Sequence, residues 1–124
     1  MYKKRENAVV VKSKEFAIES IKLYKFLVGT KKDFVISKQF LRSATSIGAN
    51  IKEADISMSK KEFISKLNIS LKEASETEYW LELLHESEYI TKKQFDFFYS
   101  KCVELIKLLT AIIKTASDNL KKIN

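Results

Sequence analysis

Apolar positions recur at intervals of three and four along most of this chain, and four stretches hold the pattern long enough to be helices. The first is expected to begin near Ser13, a good N-cap residue, with Glu15 placed to meet the helix dipole, and to end at Gly29 and Thr30. Its inner face reads as Ala17, Ile21, Tyr24 and Val28, while Phe16, Leu23 and Leu27 widen the apolar arc to one side. The second starts after Ser37 and fades near Asp55, with Phe40, Ala44, Ile47, Ile51 and Ala54 on one face.

Ser59-Lys60-Lys61-Glu62 fits the capping box and opens the third helix, whose face is Phe63, Leu67, Leu71, Ala74, Leu81 and Leu84. Thr91-Lys92-Lys93-Gln94 is a second capping box. After it Phe95, Phe98, Cys102, Leu105, Leu109, Ile112 and Ala116 alternate three and four without a break. Connections of roughly four to seven residues favour neighbours that run in opposite directions. The fold predicted is therefore all-α, an antiparallel up-down four-helix bundle over residues 13–124, preceded by a flexible basic arm at residues 1–12.

Composition agrees with few, long elements. There is no proline and only two glycines in 124 residues, too few turn residues for a chain of many short strands. No apolar run approaches the roughly 20 residues that span a bilayer. The run from Ala8 to Val11 is too short for a signal peptide, so no membrane contact and a cytoplasmic location are expected. Cys102 is the single cysteine, which leaves no intrachain disulfide and no thiolate cluster for zinc.

The formal charge of +7 is unevenly placed. Residues 1–32 carry nine basic and three acidic side chains, and residues 87–124 carry seven and four; residues 59–86, by contrast, hold six acidic and four basic. Positive charge at both chain ends suits phosphate backbones or acidic partners, and it also suits a merely solvated lysine surface. The candidate phosphate contacts are Lys3, Lys4 and Arg5 on the arm and Lys14, Lys22 and Lys25 on the first helix. On the fourth helix they are Lys107, Lys114 and Lys121, spaced by seven and opposite its apolar face.

Beside the apolar stripe of the second helix runs a polar one, Gln39, Arg42, Ser46, Asn50 and Glu53. It reads equally as a solvated face, a subunit contact or a site. Arg42 and Glu53 are eleven residues apart, roughly 16 Å of helical rise, so they cannot pair with each other. Mid-stripe stands Gly48, which costs about 1 kcal/mol against alanine in a helix. Further apolar residues lie beside the main stripes: Ile69, Tyr79, Trp80 and Leu83 on the third helix, and Tyr99, Val103, Ile106, Ile113 and Leu120 on the fourth. They fit either a generous core or an interface.

Catalytic signals are weak. Glu82-Leu83-Leu84-His85 has the ligand spacing of di-iron bundles, but His85 is the single histidine and a second Glu-x-x-His is required. Glu78, Glu82 and Glu86 read as a solvated acidic face. Cys102 lacks an activating partner and falls in the core series. No enzyme activity, metal or cofactor is expected.

Gln39-Phe40-Leu41-Arg42 followed by Ser46-Ile47-x-x-Asn50-Ile51-x-Glu53 resembles the signature of the 23S rRNA intervening-sequence proteins, relatives of the accessory variability determinant of diversity-generating retroelements. Lys60-Lys61-Glu62-Phe63-Ile64, the run Leu71-Lys72-Glu73-Ala74 with Glu76, Thr77 and Tyr79-Trp80-Leu81, and Ser87-Glu88-Tyr89-Ile90 are similar to later segments of that family. The likeness extends from about Phe16 to about Ile113. It departs at Gly48, where many relatives have proline, and at Ala54, where they have glycine.

The resemblance implies a small non-catalytic bundle that assembles as a homo-oligomer, a pentamer being favoured. The retroelement relative is basic, binds nucleic acid and works with a reverse transcriptase; the intervening-sequence name records only where the genes lie. Under this likeness Gly48 admits close approach of another backbone, and the polar stripe, with Trp80, supplies directional contacts at an edge between helices or subunits. The expected function is electrostatic, largely sequence-independent binding of RNA or DNA. The alternative is a scaffold that docks a protein partner on the spare apolar faces of helices three and four.

Overall fold

The computed structural model describes the backbone of residues 4–123 and the side chains of residues 8–122. The chain forms α1 (Lys4–Gly29), α2 (Ile36–Asp55), α3 (Lys60–Glu86) and α4 (Lys92–Ile123). Both capping boxes are in place. Ser59 Oγ accepts the Glu62 N–H at 3.1 Å, although Glu62 reaches back to the Met58 N–H (2.8 Å) rather than to that of Ser59. At Thr91 the exchange is reciprocal, with Gln94 N–H on Thr91 Oγ1 at 3.1 Å and Thr91 N–H on Gln94 Oε1 at 2.8 Å.

The start of α1 departs from the sequence expectation. The helix is already formed at Lys4, so residues 4–12 belong to it, and Ser13 is an interior residue whose hydroxyl donates to the Val10 carbonyl at 3.1 Å. Val9 is fully buried. It lies seven residues before Phe16, hence on the same face, and tertiary packing of that face outweighs a local cap signal.

The inner face of α1 also differs. Val9, Ser13, Phe16, Ser20, Leu23 and Leu27 are buried, whereas Ile21 is 40% exposed. Two serines interrupt the true stripe, so the neighbouring series of Ala17, Ile21, Tyr24 and Val28 looks more continuous in the sequence. Ser13 is where α1 approaches Gly48 of α2.

Between α1 and α2, Val35 at the N-cap of α2 offers no side-chain cap, and the buried Asp33 closes the helix start instead. Its carboxylate accepts the Ser37 N–H at 2.7 Å, and the Ser37 hydroxyl donates back to the Asp33 carbonyl at 2.6 Å. Lys32 (φ 59°) and Glu88 (φ 65°) follow the ends of α1 and α3 in the left-handed region. The Asp33 N–H closes on the Leu27 carbonyl (3.0 Å), and the Tyr89 N–H on that of Leu84 (2.9 Å). Glycine is the usual residue at such helix ends.

Each helix runs alongside two others, α1 beside α2 and α4, α3 beside α2 and α4, and among the described residues the backbones of diagonal helices stay apart. The helices thus enclose one core. Across α2 and α3 the partners run in opposite senses: Arg42 meets Glu73 and Glu76, Ser43 meets Thr77, and Glu53 meets Lys66. Phe98 of α4 takes Phe16 and Phe40 edge-on, both at 6.1 Å between centroids, tying three helices together. No helix among the described residues is long and apolar enough to cross a membrane.

Candidate functional site

The polar stripe of α2 faces α3. Arg42 Nη1 lies 3.2 and 3.3 Å from the two carboxylate oxygens of Glu73, and Nη2 bonds Glu76, whose Oε1 also accepts the Trp80 indole N–H at 3.4 Å. The hydrogen bond to Glu73 and the two carboxylate charges raise the Arg42 pKa above its ordinary value against the opposing effect of burial. Arg42 therefore straps two turns of α3 and anchors Trp80, which packs against the core. At the other end of the stripe Glu53 pairs with Lys66 at 2.9 Å, and that hydrogen bond raises the lysine pKa.

Between these ends the stripe turns inward on its own helix. The Ser46 hydroxyl donates to the Arg42 carbonyl at 2.6 Å, and Asn50 Nδ2 to the Ser46 carbonyl at 2.9 Å. Gln39 is exposed. Arg42 and Glu53 thus find their partners on α3 of the same chain.

One position inward lies a set of hydroxyls outside the sequence-derived site. Ser43, Ser70 and Thr77 are fully buried. Ser70 donates to the Ile47 carbonyl across the interface at 2.8 Å, and Thr77 Oγ1 lies 2.9 Å from Ser43 Oγ and 2.8 Å from the Glu73 carbonyl. The sequence did carry a signal: Leu67, Ser70, Ala74, Thr77, Leu81 and Leu84 alternate three and four, so both hydroxyls fill gaps in the apolar face of α3. Small side chains there let α2 and α3 pack closely, and their hydroxyls satisfy themselves on backbone carbonyls.

The weak catalytic signals resolve into packing. Glu82 accepts the Tyr99 hydroxyl at 3.1 Å, and His85 stacks on Phe95 at 4.6 Å. Glu78 is half-buried, so the acidic row is not simply a solvated face: burial first, then the charge of Glu82, raises its pKa. Burial, then the charge of Glu78, pushes the Cys102 thiol up to about 12. Its sulfur lies 3.2 Å from the Ala74 carbonyl.

Of the lysines singled out, Lys14, Lys22, Lys25, Lys107, Lys114 and Lys121 are exposed. Lys3 and the side chains of Lys4 and Arg5 lie outside the described residues. α1 and α4 are adjacent, held by the Lys12–Glu104 ion pair (3.2 Å) and by Phe16 on Phe98. The two lysine sets are nevertheless offset. Lys22 lies ten residues beyond Lys12, and Lys114 ten beyond Glu104, in opposite directions along the bundle. At 1.5 Å per residue that separates Lys22 from Lys114 by roughly 30 Å along the axis, whereas Lys14 and Lys107, two and three residues beyond the same ion pair, are only about 7–8 Å apart axially. Between α1 and α4 runs a groove of about 300 Å³ that holds Glu15, Glu19 and Glu104 with Lys12 and Lys101, a mixed rather than basic lining. Two of the lysines are also paired locally, Lys22 with Glu19 at 3.1 Å and Lys114 with Asp118 at 3.4 Å.

The spare apolar arcs of α3 and α4 are largely used within the chain, since Trp80, Tyr99, Ile106 and Ile113 pack against the core. Exposed apolar side chains gather instead on α1, at Val10, Val11, Ile18 and Ile21, with Ile69 and Tyr79 on α3.

Comparison with known proteins gives a family and a fold relative. The family model described as 23S rRNA-intervening sequence protein matches residues 5–111. A crystal structure from Bacteroides thetaiotaomicron, described as a protein of unknown function from the S23 ribosomal protein family, superposes with a TM-score of 0.88 at 57% identity. The match covers 89% of this chain and 98% of that one. Among curated proteins there is no match.

Proposed function

This chain belongs to the 23S rRNA-intervening sequence protein family, and on that premise we propose that it is a non-catalytic, oligomeric bundle that holds nucleic acid by electrostatics. The observation that carries the reading is the packing of α1 against α4. It brings the two positively charged ends of the sequence onto neighbouring helices, α1 lying diagonally opposite the acidic α3 and α4 beside it. The structural relative's membership of a ribosomal protein family favours RNA as the ligand, whereas the intervening-sequence name, which records a gene location, adds nothing to that choice. Lysines act here as point charges on phosphates and carry no base code, so binding is tolerant of sequence. Because a Debye length is about 8 Å at physiological salt, Lys22 and Lys114, roughly 30 Å apart, act as separate contacts, with Lys14 and Lys107 axially between them. A ligand that engages both Lys22 and Lys114 must be at least that long, about nine steps at 3.4 Å along a duplex strand.

Assembly would use a different surface. Val10 and Ile21 lie on the flank of α1 turned toward α2, the same flank as Ser13, while Lys12, Glu15 and Glu19 lie toward α4. A homo-oligomer, with a pentamer as the favoured state, buries that apolar flank and leaves the α1–α4 side open. In the cytoplasm such a particle would serve as an accessory to a nucleic-acid-processing enzyme, for example a reverse transcriptase.

Fluorescence anisotropy with a labelled 20-nucleotide single strand and the matching duplex tests the binding, and light scattering on a sizing column tests the assembly. Replacing Lys107, Lys114 and Lys121 by glutamate takes the formal charge from +7 to +1. Affinity at low salt should then fall well over tenfold, with a shallower salt slope. A triple variant that binds like the parent refutes the α4 contact, and a monomer at micromolar concentration refutes the assembly.

A further inference from the structure

At the end of the bundle where α1 and α3 finish and α4 begins, Phe26, Lys31, His85, Glu88, Tyr89 and Gln94 line a groove of about 550 Å³. Its volume is within the range that holds small-molecule ligands. Three aromatic rings stand in line behind one wall. Tyr99 stacks on Phe95 at 4.7 Å and 27° between planes, and Phe95 on His85 at 4.6 Å and 20°. Of these three rings only His85 borders the groove, where it joins Phe26 and Tyr89 in the lining.

The polar groups around it are partly uncommitted. Gln94 Oε1 is taken by the Thr91 N–H, which leaves its amide NH₂ to donate. Glu88 is exposed and supplies acceptor oxygens. Lys31 Nζ stands 6.0 Å from the centre of the Phe26 ring. Lysines predominate at this end of the bundle: Lys22 and Lys25 in the last turns of α1, Lys31 and Lys32 just after it, and Lys92 and Lys93 at the start of α4, with Lys22 paired to Glu19 and Lys92 to Asp96. Lys32 and Glu88 both hold the left-handed backbone that glycine takes more easily. Of the two only Glu88 lines the groove, so one charged side chain is kept on its rim at a conformational cost, a pattern associated with ligand clamps.

We propose that this groove takes one unpaired base of a single-stranded nucleic acid, added as a fourth ring to the Tyr99–Phe95–His85 stack, with its phosphate toward Lys31. The inference rests on the nucleic-acid reading above and deepens it: lysines hold strands of any kind, and this end distinguishes single strands from duplexes. A duplex keeps its bases stacked on one another and cannot offer one to His85, whereas every unpaired base has a face to stack. Glu88 accepts from an exocyclic amino group, so adenine, cytosine and guanine fit better than uracil. An aromatic side chain of a protein partner would match the rings but not the run of lysines leading to them.

The experiment uses the full chain, a 12-nucleotide single strand bearing one 2-aminopurine, and the matching duplex. With the parent protein the 2-aminopurine should be quenched on binding. In His85→Leu, which keeps an apolar side chain against Phe95, the quench should disappear. Single-strand affinity should drop about tenfold while duplex affinity is unchanged. If His85→Leu melts early, Lys31→Ala and Gln94→Ala are read by the same quench and affinity. A parent that binds both strands without quenching overturns the groove alone and assigns it to another occupant such as a protein side chain. Equal losses for single strand and duplex also overturn it. A parent that binds neither strand overturns the nucleic-acid reading itself.

Discussion

Gly48→Ala should stabilise this protein, although the glycine sits where two helices meet. A Cβ built on Gly48 finds Ser13 Oγ at 3.4 Å and Ser13 Cβ and O at 3.6 Å, which are ordinary van der Waals contacts. Nothing in the backbone demands glycine, since neither glycine of the chain has positive φ. Alanine recovers about 1 kcal/mol of helix propensity. A methyl placed in a half-buried position adds roughly half of the 0.8 kcal/mol that full burial of such a group gives. The net expectation is about 1 kcal/mol, or roughly 3–4 °C in Tm for a chain of this size. Gly48→Leu should have the opposite sign. Its further carbons must pass Ser13, and overpacking costs about 1–3 kcal/mol. Urea titration followed by circular dichroism, at one fixed protein concentration because any self-association would add to stability, reads both variants. Destabilisation by Gly48→Ala of 1 kcal/mol or more would refute the reasoning, because α1 and α2 would then need the bare glycine.

Arg42→Met keeps the stem over α3 but leaves Glu73, whose side chain is 18% exposed, without its cation. A loss of about 1–2 kcal/mol is expected, partly restored by adding Glu73→Gln, and a denaturation double-mutant cycle without such coupling contradicts it. Cys102 contributes an alkaline dependence. Its folded pKa is raised from 9.0 to about 12, so the stability is fully present below pH 9 and is lost as pH rises toward 12, by at most about 1.4 kcal/mol per pH unit. Tyr99, raised from 10.0 to about 12 by burial and then its bond to Glu82, acts in the same direction. Cys102→Ala should flatten the decline between pH 9 and 12, and a profile parallel to the parent's would count against it. Finally, Glu88→Gly relieves a left-handed residue and should raise stability by about 1 kcal/mol, while weakening the preference for amino-bearing bases over uracil. A melting curve and the anisotropy assay on oligo(A) against oligo(U) check the two halves.

The number of helices and most of their ends were legible in the sequence because the determinants are local. Ser59 with Glu62, and Thr91 with Gln94, satisfy backbone groups within a few residues, so their meaning survives without a tertiary context. The inner face of α2 was nearly as plain, since Phe40, Ala44, Ile47, Ile51 and Ala54 are all buried, although Ser37 and Ser43 share that face.

What depended on the tertiary structure was every choice between comparable local options. α1 offers two apolar series. The one with Ser13 and Ser20 wins: both serines are buried, Ser13 against Gly48 of α2, while Ile21 is left outside. The Asp33 cap of α2, the strap from Arg42 to Glu73 and Glu76, and the hydroxyls of Ser43, Ser70 and Thr77 on neighbouring groups follow from which helix lies opposite. The axial offset of the lysines and the aromatic groove at the end of the bundle are of the same kind. Periodicity determines which residues share a face of one helix, but the register between helices is fixed only when the whole set of side chains packs at once.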